Sequence, residues 1–206
     1  MRFPNGYKGV NKLFASEILN VAASILFFAA SVIAAFTSQK TVNTAYLPAI
    51  LIPMILVGVV GLLAFILQIV GLNQARKDNI RFRTAIVFVC IGVVAFNAAA
   101  FTGGTLGNIF SSINEVCSVL ISVYIILGIY DLAEIMENAN VMLHGKIALF
   151  SGTAVFAVAV IARIVPVFIP RTENVLDVIC SVTELIAYII FLIFLSKAKK
   201  MLSQKA

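Results

Sequence analysis

The sequence has little charge and no long polar segment. Charged side chains make up only 12% of the 206 residues, whereas 62% are hydrophobic and the mean hydropathy is +1.08. A soluble domain does not need so apolar a composition. Apolar runs of about 20 residues, the length that crosses a bilayer core about 30 Å thick, recur along the chain. The composition therefore predicts one membrane domain over residues 1–206.

The residues and motifs that support catalysis are also scarce. Cys90, Cys117 and Cys180 lie in apolar runs without C-x-x-C spacing, which favours packing over redox or metal chemistry. His144 is the single histidine, and no zinc-protease, nucleophile-elbow, phosphate-loop or dinucleotide motif occurs. We therefore expect no enzymatic activity, no cofactor and no metal site.

Other absences limit the partners and the location. No basic segment comes with a folded domain or an aromatic platform, so the net charge of +6 does not indicate a nucleic-acid partner. The first apolar run is longer than that of a signal peptide and lacks a small-residue cleavage site, which predicts a retained first span. The absence of an N-x-[ST] sequon favours a prokaryotic plasma membrane.

Apolar runs between polar breaks predict an all-α, polytopic bundle of about six transmembrane helices, arranged as three hairpins in series. Helices are expected because an open strand cannot satisfy its backbone in lipid. Lysine and arginine concentrate at the termini and in alternate loops, which predicts that both termini are cytoplasmic and that the basic loops contact anionic headgroups. The predicted spans are 14–36, 48–72, 84–101, 109–130, 147–169 and 175–196.

The stretch AVIARIVPVFIP at 159–170 places Arg163 inside the fifth span, close to Pro166. A charge at mid-span costs about 2.5–3.5 kcal/mol on insertion scales, so such residues normally face the bundle interior and pair. Glu115 and Glu184 are expected at a similar depth and are the predicted partners of Arg163. Pro166 is expected to bend the span and to open a cavity between spans four, five and six.

Helical spacing gathers further polar residues in the same outer half of the bundle. Asp177, Glu184 and Tyr188 share a face of span six, and Glu115 shares a face of span four with three serines. One arginine then faces three carboxylates, and a surplus carboxylate suits a cationic ligand or proton coupling. The candidate ligand-binding residues are Asn97, Asn114, Glu115, Arg163, Asp177, Glu184 and Tyr188.

The first two spans carry small residues along one face each, which predicts close helix packing. On span two these include Gly61, Ala64 and Gly71. Glu17 of span one is expected near the cytoplasmic interface, where water or the neighbouring Lys12 would be within its reach.

The pattern favours a binding or transport module for a small molecule or a cation. In size, span number and inward termini, the chain is similar to the substrate-capture S components of energy-coupling-factor vitamin transporters. That resemblance implies a small-molecule site in the outer half of a six-helix bundle. The family's small-residue contact in its first helix is represented here only by Ala30 and Ala34, which lie toward the other end of the span.

The alternative is a non-transporting scaffold or a subunit of a larger membrane complex, in which Arg163 and Glu115 are purely structural. The acidic, amphipathic segment at 131–146 would then dock a cytoplasmic or membrane protein partner. Its simpler interpretation is a helix end with a solvated face.

Overall fold

Six long helices account for nearly all of the computed structural model. The structure describes the backbone of residues 2–38, 47–168 and 173–204, and the side chains of these except 33–38, 47–50, 163–168, 173–175 and 177. Each helix contains a segment long and apolar enough to cross a membrane, and no strand occurs in the described ranges. The predicted all-helical, multi-spanning fold is confirmed. The helices are α1 (Pro4–Ser38), α2 (Leu47–Ala75), α3 (Arg81–Thr102), α4 (Gly104–Ile135), α5 (Ala139–Phe168) and α6 (Glu173–Ser203).

The helices form three hairpins that close into a ring. Within the hairpins, α1 packs on α2, α3 on α4 and α5 on α6, and the ring is completed by α2 on α3, α4 on α5 and α6 on α1. We call the end that holds Pro4, Ala75, Arg81 and Ser203 the basic end, and the other the distal end. The predicted cytoplasmic location of the termini stays a prediction.

Most helices extend beyond the predicted spans at the basic end. Hydropathy marks only the part of a helix that lipid can surround, whereas backbone hydrogen bonding continues into polar residues. The segment at 131–146 accordingly divides into the end of α4, a turn and the start of α5. Leu132 is fully buried and Asp131 pairs with Arg81, so this segment leaves only part of its surface to a partner. Its role in docking stays a prediction.

Polar turn residues fix the helix ends at the basic end. The Asp78 carboxylate, in the α2–α3 turn, accepts hydrogen bonds from the Gly6 amide (2.6 Å) and the Asn5 side chain (3.0 Å) in the first turn of α1. A carboxylate there complements the helix dipole, which explains why α1 begins well before its apolar run. Arg81 Nε lies 2.5 Å from Asp131 Oδ2, an ion pair between the start of α3 and the end of α4.

The hydrophobic core lies in the basic half of the bundle. Its large, fully buried side chains include Phe82, Phe194 and Leu132, and all six helices contribute to the cluster. In the distal half, by contrast, the described hydrophobic residues that are buried are the small ones Ala30, Ala95 and Cys117. The helices are therefore tightly packed at one end only.

The closest helix approach joins α1 to α2. A Cβ atom on Gly9 would lie 2.6 Å from the Gly71 carbonyl oxygen, so only glycine fits at this crossing. Farther along, the buried Ser16 hydroxyl donates to the Ala64 carbonyl oxygen at 2.7 Å. The predicted small-residue packing is confirmed at Ala64 and Gly71, but a Cβ on Gly61 would meet nothing within 4 Å, so the prediction was wrong for that position.

Candidate functional site

Two adjoining clefts open between α4, α5 and α6. The first, of about 490 Å³, is lined by Glu115 and Glu184 together with Ser118 and apolar residues of α5. The second, of about 300 Å³, lies nearer the basic end and also contains Ser118 and Glu184, with Tyr188 at its inner part. Because the two share residues from all three helices, they make one polar depression, which we call the α4–α6 cleft.

A third cleft, of about 380 Å³, lies on the other side of α4, between α2, α3 and α4. Asn114, Ser118 and Ser122 line it as well as parts of the α4–α6 cleft. The polar face of α4 is therefore central in the ring, and polar side chains replace the packing residues that fill the ring at the basic end.

Local helix geometry explains how hydroxyls are tolerated there. Ser118 donates to the Asn114 carbonyl oxygen at 3.1 Å and Ser122 donates to the Ser118 carbonyl oxygen at 3.2 Å. This bond to the preceding turn satisfies the hydroxyl hydrogen within the helix. Each serine oxygen keeps acceptor capacity, so these serines offer acceptors rather than donors to the cleft.

Of the two described carboxylates that line the cleft, Glu184 is the less constrained. It lines both parts of the α4–α6 cleft and is exposed, and among the described residues it has no hydrogen-bond or ion-pair partner. Glu115, also exposed, lines the first part only. Two carboxyl groups thus line one cleft whose other walls are apolar or hydroxylic, apart from the Asn114 amide.

Tyr188 lies one helical turn beyond Glu184 and connects the cleft to α1. Its hydroxyl oxygen is 2.9 Å from the Glu17 carbonyl oxygen and 2.9 Å from Glu17 Oε2. Glu17 is only 8% exposed, and Asn20 approaches the same oxygen at 3.4 Å. The expectation that Glu17 reaches water or Lys12 was wrong, because α6 packs over this face of α1.

The remaining candidate residues divide into two groups. Asn97 is exposed, donates to the Val93 carbonyl oxygen at 2.7 Å and lines none of the clefts described above. The side chains of Arg163 and Asp177 lie outside the described residues, as does that of Pro166. The pairing of Arg163 with Glu115 or Glu184, and the bend at Pro166, therefore stay predictions.

Helical spacing predicts that Glu115, Glu184 and Tyr188 lie in one region of the bundle. In the structure, these three residues line the α4–α6 cleft. The sequence pattern did not predict that Glu17 contacts this site through Tyr188. The missing signal is the contact between α1 and α6, which joins residues 171 positions apart and cannot be read from the periodicity of either helix. Among the described residues, no group of three His, Cys, Asp or Glu side chains could hold a metal ion.

Comparison with protein-family models, with curated proteins and with solved structures found no match to this chain. The similarity to S components therefore rests on size, span number and expected orientation alone. The chemistry of the cleft has to be interpreted from its own residues.

Proposed function

We propose that the chain is a binding or transport component that takes a small cation or an amine-bearing molecule in the α4–α6 cleft. The main support for this proposal is the position of Glu184. Its carboxylate lines two adjoining clefts and has no hydrogen-bond or ion-pair partner among the described residues. Ionisable groups within spans are costly and normally face a partner or a water-filled cavity. A cationic group in the cleft would supply the opposite charge.

The lining suits a ligand with one charged and one apolar part. Serine oxygens on α4 and the carboxyl of Glu184 offer acceptors for an ammonium group, while Val119, Val155 and Phe156 offer apolar walls. Small-molecule sites commonly combine mostly apolar walls with a few polar groups that fix orientation. A purely anionic ligand would find few donors there.

The contrast between the two halves of the bundle supports access from one side. The basic end is filled by the core cluster. The first part of the α4–α6 cleft lies toward the distal end, and the second part reaches down to the core residues Ile126 and Ala148. A ligand would enter from the distal side and be held above the packed half. Release to the other side would require the hairpins to rearrange, as in transporters built around a site near the bilayer midplane.

The first test is the thermal stability of the purified protein against alkylamines, amino acids, cationic vitamins and monovalent cations. A ligand that binds only the native state stabilises it, by about 2.7 kcal/mol at one hundred times its Kd. We expect a dose-dependent rise for a cationic compound that is lost in Glu184→Gln. The matched control is Glu134→Gln, which removes an exposed carboxylate near the end of α4.

Two results would count against this function. An equal response in Glu184→Gln and in the wild type would remove Glu184 from the site. A flat response to every compound would favour the scaffold alternative, and capture of membrane partners would then be the next experiment.

A further inference from the structure

The contact between Tyr188 and Glu17 points to a second kind of ligand. We propose that Glu17 is a reversible proton-binding site, in which the protonated carboxyl donates to the Tyr188 oxygen and the Tyr188 hydroxyl donates to the Glu17 backbone carbonyl. The geometry that carries the proposal is the position of one hydroxyl between two oxygens of the same residue, each at 2.9 Å.

The hydrogen count distinguishes the two states of Glu17. A tyrosine hydroxyl has one hydrogen to donate, but it lies at hydrogen-bond distance from two oxygens. If Glu17 is ionised, the two oxygens must share or compete for that hydrogen. If Glu17 carries a proton on Oε2, both contacts are full hydrogen bonds, because the tyrosine oxygen also accepts. Only the protonated carboxyl supplies a separate hydrogen to each of the two contacts; the Asn20 amide, 3.4 Å from the same Oε2, donates to that oxygen in either state.

In the described part of the chain, no positive charge pairs with the Glu17 carboxyl. The two helices packed against α1 are α2 and α6, and α2 contains no titratable residue. On α6 the nearest titratable groups along the facing side are Tyr188 itself and Glu184, one turn away. Lys199 lies eleven positions farther along, over the Phe14 ring at 5.3 Å. No basic side chain among the described residues is within 4 Å of the Glu17 carboxyl.

Tyr188 gives the proton a route to the cleft. It lines the second part of the α4–α6 cleft, and its hydroxyl contacts Glu17, so one side chain joins the cleft, where water can enter, to the carboxyl. When the Glu17 proton leaves to such a water, the Tyr188 hydrogen turns from the backbone carbonyl to the carboxylate. Tyr188 then orients differently toward a ligand held at Glu184. This last step, which couples the proton to ligand binding, rests on the proposed function; the proton site itself does not.

The test is an infrared pH titration of the purified protein in lipid, which follows carboxyl and carboxylate stretches and needs no other ligand. We expect the wild type to show a titrating carboxyl that is missing in Glu17→Gln and still present in Glu134→Gln. Tyr188→Phe should move its midpoint by about one pH unit, a tenfold change in proton affinity. Tyr124→Phe, which keeps the ring stacked 5.5 Å from Phe88, should leave the midpoint unchanged.

The proposal would be overturned if the carboxyl missing in Glu17→Gln were ionised at every pH at which the protein stays folded. An unchanged midpoint in Tyr188→Phe would overturn it as well. That variant keeps Glu17, so it tests the proton site even if Glu17→Gln fails to fold. A flat ligand panel with a titrating Glu17 would refute the cationic-ligand site alone, whereas a ligand response without titration would refute the proton site alone.

Discussion

The basic and distal halves of this bundle are built from the same six helices but differ in how they use their interior faces. In the basic half, Phe82, Phe194 and Leu132 are fully buried in a core cluster to which all six helices contribute. Toward the distal end, the central face of α4 carries Asn114, Glu115 and serines, and clefts of about 300 to 490 Å³ open beside it and reach down to the edge of the core.

The difference shows that hydropathy alone does not determine packing in a membrane bundle. Lipid is as apolar as a leucine side chain, so helices associate through close packing and interhelical hydrogen bonds. The distal half also has large apolar residues, but Val94 and Phe101 are 70% and 88% exposed on surfaces that lipid would cover. Its interior lacks large side chains that would fill the space between the six helices.

The largest effect is expected from removing a core aromatic at the basic end. Phe82→Ala should lower the free energy of unfolding by about 3 kcal/mol, because the ring is fully buried and its loss leaves a cavity. Phe96→Ala, on nearly the same face of α3 but in the distal half and 63% exposed beside the third cleft, should change it by less than about 0.5 kcal/mol. Reversible unfolding in mixed micelles measures both. Equal losses would contradict the difference in packing between the halves.

A smaller loss should follow from adding one methyl group at the α1–α2 crossing. Gly9→Ala should destabilise by about 2 kcal/mol, since its Cβ would lie 2.6 Å from the Ala75 Cβ and the backbone cannot yield easily. Gly58→Ala is the matched control because its Cβ would meet nothing within 4 Å. The same unfolding assay applies, and a Gly9→Ala protein as stable as Gly58→Ala would refute the close crossing.

The smallest of the three effects concerns the ion pair at the basic end. Arg81→Gln should cost about 1 kcal/mol, because its side chain is 42% exposed and that of Asp131 is 27% exposed, which weakens the pair. Arg83→Gln, an exposed neighbour on the same turn, is the control. The loss should shrink in high salt; a loss of the same size at high salt would indicate a packing role instead.

Much of the architecture was predictable from the sequence. Span number, helical class and the pairing into hairpins follow from apolar run length and from the polar breaks, such as the turn at Gly103 and Gly104, both with positive φ. The helix ends were not predictable from hydropathy, since the start of α1 depends on Asp78, which lies more than seventy residues away.

The candidate site was predictable in part. The stripe that joins Glu184 to Tyr188 follows from helical spacing on one span. The partner of Tyr188 does not, because Glu17 meets it only when the ring closes between the first and last helices. The direction of the Asn97 side chain was not predictable either, because it depends on how α3 is rotated in the bundle. Its amide donates a hydrogen bond to its own helix and does not line the clefts described above.

Side-specific cysteine labelling in vesicles tests most directly whether the cleft opens only on the side opposite the packed end. The native Cys90, Cys117 and Cys180 are first replaced by alanine. A membrane-impermeant thiol reagent would be added from either side to Ser118→Cys in the cleft and Ala198→Cys in the basic-end core, with the exposed Ser203→Cys to mark the basic side. We expect position 118 to react only from the side opposite to position 203, and position 198 to stay unreactive. Labelling of position 118 from the basic side, or of position 198 from either side, would contradict it.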